Sequence, residues 1–318
     1  MAMSDPQSPL HTLRSCLAGR PVGLVGLGLM GGSIGLDLKA RGVPTVALAH
    51  RARTAERARQ RGLADVVSTD PAVLRGAGLV VLCLPLDRLL APTPQLLSAL
   101  PRQALISDVG SVKGPVLAAW QAAWPGRFIG GHPMAGTTAA GVDAGQPGLF
   151  QGRPWALTTA ETTTPSVDLQ LLQALISVLG ARAIHCTAQD HDHAVALVSH
   201  LPVLVSAALL HTVAGERNQP IRRLAESLAS SGFADTTRVG GGNPRLGTLM
   251  ASHNRQALEQ ALGRYREGLD TLEGLLREGR WDQLRAALQR SQALRQRIVG
   301  PCVTGPEPES SPPTLSSA

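Results

Sequence analysis

The sequence predicts an α/β fold in two parts, a strand-and-helix N-terminal domain followed by an all-helical one. Three observations predict it. From Pro21 to about Thr187 short apolar runs alternate with segments of helical spacing, the signature of a mainly parallel sheet with helices on both faces. A glycine-rich turn joins the first apolar run to the first helical segment. From Ala188 to Val299 no convincing strand occurs, and apolar residues recur at helical spacing over Leu258–Leu276 and Leu284–Leu294.

Taken in order, residues 1–20 read as a flexible leader, too polar at Met1–Pro9 for a secretion signal. Residues 21–187 form the first domain. Its strands are expected at Val22–Val25, Thr45–Ala49, Leu79–Leu84, Ala104–Ser107, Phe128–Ile129, Trp155–Thr158 and Ala183–His185, with helices such as Ser33–Ala40 and Ser166–Leu179 between them. Residues 188–299 form the helical domain. Residues 300–318, rich in Pro and Ser, read as a disordered tail.

Composition limits the function. With 43% hydrophobic and 17% charged residues the chain is globular. The net charge of +7 is spread along helices as Arg, and one Tyr and three Phe are too few for base-stacking, so no nucleic-acid partner is expected. A basic surface suits a protein whose ligands are anions. Cys16, Cys83, Cys186 and Cys302 show no metal spacing and are expected as thiols in a cytoplasmic protein. The run from His193 to Gly215 lacks Asp, Glu, Lys and Arg, but Ser199, His200, Pro202 and Ser206 interrupt it. A buried helix at a domain or subunit interface fits it better than a membrane span of ~20 apolar residues.

The turn at Gly26, Gly28 and Gly31 spells G-x-G-x-x-G after a strand and before a helix, the context of a Rossmann-type dinucleotide-binding domain. Gly26 permits the tight turn, Gly28 lets backbone approach a diphosphate, and Gly31 lets helix and strand pack closely. The helix N-terminus then offers free N–H donors to the anion. After the second strand the chain reads Ala49-His50-Arg51-Ala52-Arg53-Thr54, with no carboxylate for a ribose hydroxyl. Arg51 or Arg53, with His50 and Thr54, favours the 2′-phosphate of NADP. The candidate cofactor contacts are Gly26, Leu27, Gly28, Leu29, Met30, Gly31, His50, Arg51 and Thr54, with Cys83, Pro85 and Asp108 after later strands.

Two further polar clusters follow strands, Ser107–Lys113 and Gly130–Thr137. His132, between Gly131 and Pro133, is better placed on a rigid turn at a cleft than on a helix, and imidazole accepts protons near neutrality. The set GLGLMGGS, DVGSVK, GGHPMAG, HDHAVALVSHLP and ASSGFADTTRVGGGNP resembles the prephenate/arogenate dehydrogenases of tyrosine biosynthesis, most of all their short arogenate form. The likeness runs from about Val22 to Leu294.

The resemblance implies His132 as catalytic base, Ser111 as its hydrogen-bonding partner, His200 as a substrate-binding residue and Arg238 as a carboxylate clamp. It also implies a helical dimerisation domain, hence a homodimer. Hydride would leave the hydroxyl-bearing ring carbon for NADP, and loss of CO2 would aromatise the ring. Ser111 also suits a cap for a helix starting at Val112, and Arg238 an ion pair with Asp235. Asp190 is the candidate partner for the arogenate ammonium, with Asp192 and Asp235 behind it; as an ordinary helix N-cap it would do neither. His191 and His193 with Asp190 and Asp192 read as a solvated helix start rather than a metal site. A β-hydroxyacid dehydrogenase would rely on a helical-domain lysine, and no Lys follows Lys113. A non-catalytic NADP-binding redox sensor would need the glycine turn alone.

Overall fold

The computed structural model describes residues 8–137, 139–158 and 166–300. The chain divides into two compact units, Met1–Ala261 and Leu262–Ala318. The first contains an eight-stranded sheet. Its strands are β1 (Val22–Val25), β2 (Thr45–Leu48), β3 (Val66–Ser68), β4 (Leu79–Leu82), β5 (Leu105–Asp108), β6 (Phe128–Pro133), β7 (Pro154–Thr158) and β8 (Arg182–Cys186), in the order β3-β2-β1-β4-β5-β6-β7-β8. The first six are parallel, β7 runs antiparallel to β6, and β8 is parallel to β7. The order of the first six is that of a doubly wound dinucleotide-binding sheet, with the chain reversal between β1 and β4. Ligands in such sheets lie beyond the carboxyl ends of the strands at that reversal.

The central strands β1 and β4 are buried on both faces because their apolar runs are continuous. In β1 and β4, Leu24, Leu79 and Val81 pack into one layer, and Val25, Val80 and Leu82 into the other. Each such side chain contributes roughly 1.5–3 kcal/mol on burial. Trp120 and Phe128 stack at 5.4 Å in the second layer, which offsets the scarcity of aromatics elsewhere.

Two differences from the sequence reading are instructive. Residues 9–17 are a helix, not a loose leader: Ser8 caps it, and Leu13 and Leu17 are fully buried where it packs on the helix Ser166–Val178. The strand β3 was not expected. It has three residues, and Val66 on it is exposed, so it carries little apolar pattern. Residues 301–318 of the expected tail lie outside the described residues.

Beyond β8 the chain is helical. The run Ala188–Ala214 comprises Ala188–Val195, a π-helical turn Ala196–His200 and Leu201–Ala214. It is long and apolar enough to cross a membrane by length and composition. Helices Gln219–Leu228, Ser231–Thr237 and Pro244–His253 follow, then Arg255–Arg277 and Trp281–Val299.

Candidate active site

The glycine turn has the geometry a diphosphate requires. Gly26 has φ +92°, and a Cβ there would stand 2.5 Å from the Cys83 carbonyl oxygen. A Cβ on Gly31 would stand 2.0 Å from the Gly26 carbonyl oxygen. At Gly28 a Cβ would meet nothing within 4 Å, so no packing demand of the protein accounts for this glycine. Gly28 precedes the helix Leu29–Ala40 without any side-chain cap, which leaves the first N–H groups as donors for an anion. The residues present therefore fit a dinucleotide. At the end of β2, His50 and Arg51 are exposed, and neither Arg51 nor Arg53 makes an ion pair among the described residues. Burial, with Asp108 behind it, pushes the Cys83 thiol well up, so it stays protonated.

Asp108 is committed elsewhere. Its side chain is fully buried and accepts from Gly110 N–H (2.7 Å), Gly131 N–H (3.0 Å) and the Lys113 ammonium. It thus has no face for a cofactor, contrary to expectation, and serves as an anchor. Lys113 also donates to the Gly131 carbonyl at 2.7 Å. Burial pulls the Lys113 pKa down, and Asp108 opposes that pull. The glycine pair of β6 lets the neighbouring strands close in, with the Lys113 stem beside Gly130. A Cβ on Gly130 would stand 2.4 Å from Thr158 Oγ1, and one on Gly131 2.6 Å from the Asp108 carbonyl oxygen.

His132 stands next along β6, 8% exposed. Its Nδ1 lies 2.9 Å from His191 Nε2, and His191 Nδ1 lies 2.8 Å from Asp192 Oδ1. Asp192 in turn accepts from Lys113 N–H (2.7 Å) and Gly114 N–H (2.8 Å), so it caps the helix Gly114–Ala123 from another element. His191 and Asp192 are therefore not a solvated helix start: His191 is 3% exposed and belongs to this chain of contacts. Burial, with His191, Lys113 and His200 as like-signed neighbours, holds the His132 pKa well below the ordinary 6.5. The imidazole is thus a neutral base at neutral pH.

Ser111 makes no hydrogen bond to His132 among the described residues, and the helix begins at Gly114, so Ser111 does not cap it either. Its backbone lies near His200. His200 ends the π-helical turn and is fully buried. Its Nδ1 faces the Asn254 amide at 3.1 Å, and the same amide donates to the Asp192 carbonyl at 2.7 Å. Accepting at Nδ1 makes Nε2 a donor, and that buried atom has no protein partner of good geometry. Burial, opposed by Asp192, lowers the His200 pKa to about 4.

Arg238 lines a cavity of about 380 Å³ with Met134, Ala135, Gly136, Thr137, Gln146, Gln151 and Arg153. Its wall thus begins two residues after His132. Arg238 pairs neither with Asp235 nor with any other acid among the described residues, and Arg153 is equally without an ion pair. The loop that builds this cavity is held by the cofactor-side helices. Gln146 N–H donates to Ser33 Oγ (3.0 Å), Gly148 N–H to Asp37 (3.0 Å), and Arg61 to the carbonyls of Val142 and Gly145 (both 2.6 Å). Asp190 does not join the site. It is exposed, and it sits in the first turn of its helix with Thr187 as the cap, Thr187 Oγ1 donating to its carboxylate at 2.9 Å.

Sequence reasoning missed the contacts of Lys113, Arg153, His191 and Asn254, and gave Asp192, weighed as a partner for the arogenate ammonium, a role other than its bonds to Lys113, Gly114 and His191. Both His191 and Asp192 lay inside quoted motifs, but their partners stand 59 and 79 positions away.

The chain matches two family models, "Prephenate dehydrogenase, nucleotide-binding domain" over residues 34–185 and "Prephenate dehydrogenase, dimerization domain" over residues 187–290. It is 32% identical over 278 residues to the cyclohexadienyl dehydrogenase of Zymomonas mobilis, covering 86% of this chain and 94% of that protein. Among solved structures it resembles Synechocystis arogenate dehydrogenase (42% identity, TM-score 0.76, 87% of this chain and 99% of the other). It also resembles prephenate dehydrogenase from A. aeolicus, in complex with hydroxyphenyl propionate and NAD+ (25% identity, TM-score 0.80, 88% and 98%). With a diphosphate turn, a buried neutral imidazole at the end of β6 and matches across both halves, the chain belongs to the prephenate dehydrogenase family, nicotinamide-dinucleotide-dependent oxidoreductases of tyrosine biosynthesis.

Proposed function

We propose that this protein catalyses the NADP-dependent oxidative decarboxylation of arogenate to tyrosine. The observation that carries the reading is a buried neutral His132 two residues before the wall of a cavity that holds Arg153 and Arg238, neither of them in an ion pair among the described residues, on the sheet that also carries the glycine turn. When bound, the nicotinamide supplies the hydride acceptor. The rest is done by the chain. His132 takes the proton of the ring hydroxyl as the carbonyl forms, and Arg238 and Arg153 fix a dianionic substrate through its carboxylates. Loss of the ring carboxylate as CO2 makes the reaction irreversible by aromatisation.

The choice of arogenate rests on the 42% identity to the Synechocystis arogenate enzyme. The choice of NADP rests on Arg51, exposed at the end of β2 with no acidic residue from Ala49 to Thr54. A second reading is prephenate, favoured by the position of Asp190, which its own helix cap occupies. Steady-state turnover of purified protein on arogenate and prephenate, each with NADP and NAD, tests both. Activity with prephenate alone would overturn the substrate assignment, and activity with NAD alone the role of Arg51.

We assign the apolar face of the run Ala188–Ala214 to a second copy of the chain, in a cytoplasmic homodimer. The same run carries His191 and Asp192, whose hydrogen bonds to His132 and Lys113 tie it to the sheet domain, and His200, which bonds Asn254 of the helical part. A bilayer would strand those groups in hydrocarbon.

A further inference from the structure

We propose that His191 and Asp192 are positioning residues that select the tautomer of His132 and so create the base. The inference rests on the assignment of His132 as base, and the argument is one of donors and acceptors. Asp192 accepts at both oxygens, from Lys113 N–H, Gly114 N–H and the imidazole of His191. A carboxylate has no proton to give, so His191 must present Nδ1–H to it. A neutral His191 then has a bare Nε2. That lone pair, 2.9 Å from His132 Nδ1, accepts a proton from it. His132 therefore carries its proton on Nδ1 and a free electron pair on Nε2.

The substrate O–H bond breaks and its proton bonds to that Nε2; a bound nicotinamide would supply the acceptor for the C–H electron pair. The imidazolium so formed keeps its Nδ1–H bond to His191. The backbone N–H groups of Lys113, which caps the helix Gly114–Ala123, and of Gly114 hold the carboxylate in place, so the start of that helix also orients the base.

The opposite tautomer requires a donor where Asp192 stands. Asp192→Asn supplies one. With its NH2 toward His191 Nδ1 and its oxygen accepting from Gly114 N–H, the amide moves the proton to Nε2 of His191, then to Nε2 of His132, which removes the base; with the opposite orientation the wild-type tautomers remain. In serine-protease triads the equivalent exchange costs about 10⁴-fold in turnover while leaving geometry intact.

The test joins kinetics to a readout independent of activity. Long-range ¹H–¹⁵N correlation spectra of histidine-labelled protein, assigned with His132→Ala and His191→Gln, report which ring nitrogens are protonated. We expect His132 as the Nδ1–H tautomer, and the Nε2–H tautomer in Asp192→Asn. We expect Asp192→Asn to lower kcat at least 100-fold, with KM within about threefold. His191→Leu, which removes the acceptor, should lower kcat about 10- to 100-fold, and His191→Gln, whose amide oxygen can accept from Nδ1–H, should recover most of that loss.

An Nε2–H tautomer in the wild-type protein overturns the proposal. So does a kcat within twofold of wild type in His191→Leu. Should Asp192→Asn fail to fold, the His191 pair and the wild-type spectrum decide. If the protein turned over neither cyclohexadienol, the functional reading would fail while the tautomer measurement still judged this inference.

Discussion

In the proposed reaction a single imidazole and two guanidiniums carry the chemistry, and each has a measurable weight. We expect His132→Ala to lower kcat roughly 10²–10⁴-fold, the range for a positioned general base, with little change in cofactor affinity. Because burial holds its pKa well below 6.5, the acid limb of kcat/KM should fall below that value; a limb at 6.5 or above would contradict the burial. Arg238→Ala and Arg153→Ala each remove a charge-assisted contact of about 1.5–3 kcal/mol, which should raise KM for substrate about 10- to 100-fold. His132 stood out in the sequence because glycine and proline flank it; the rigid turn expected there is instead the end of β6, where His132 pairs with Ala156 of β7. His191 did not stand out, since an Asp-His-Asp-His run at a helix start looks solvated until the fold brings His132 and Lys113 against it. Asp190 shows the reverse: an acidic residue beside the motif attracted a role that its capping bond with Thr187 already fills.

At the level of the element, the glycine turn separates two kinds of glycine. Gly31→Ala places a methyl group on the Gly26 carbonyl and should lower Tm as well as cofactor binding. Gly28→Ala meets nothing in the protein, so Tm should hold while the dissociation constant for cofactor rises. Paired melting and titration curves check both. The sequence pattern identified this turn and seven of the eight strands because each joins a strong apolar run to a clear break. It missed β3 for want of apolar residues, and the helix Pro9–Leu17 because its reason for existing is a partner helix more than a hundred residues on. The anchor linking β5 to β6 was equally invisible. Replacing Lys113 by Met leaves the Asp108 carboxylate buried beside only backbone donors, and we expect a loss of about 3–5 kcal/mol by denaturant titration.

For the molecule as a whole, buried histidines set the response to acid. His200 has a folded pKa of about 4 against an ordinary 6.5. The unfolded chain binds that proton first, so stability falls as pH drops from 6.5 towards 4 and is restored above 6.5. At ~1.4 kcal/mol per unit this histidine alone withdraws roughly 3 kcal/mol, and His132 adds to it in the same direction. Denaturation midpoints between pH 7 and pH 4 measure the trend. Association is the other whole-molecule property. Ile221, Leu224 and Leu228 share one face of the helix Gln219–Leu228 and are 53%, 58% and 71% exposed. Leu224→Asp with Leu228→Asp should shift sedimentation from two copies to one if that face meets a second chain.

The wide turn at Ala196–His200 has a consequence for natural variation. It lodges one surplus residue in the helix between His191 and Leu201, so the chain is out of phase there by about 100° relative to an unbroken spiral. Excising any one of those five amino acids would re-phase the spiral and swing all that follows around the axis, breaking the match between His200 and Asn254. Point substitutions at Leu197 or Val198, both outward-facing, should be tolerated far better than a codon deletion anywhere in the turn.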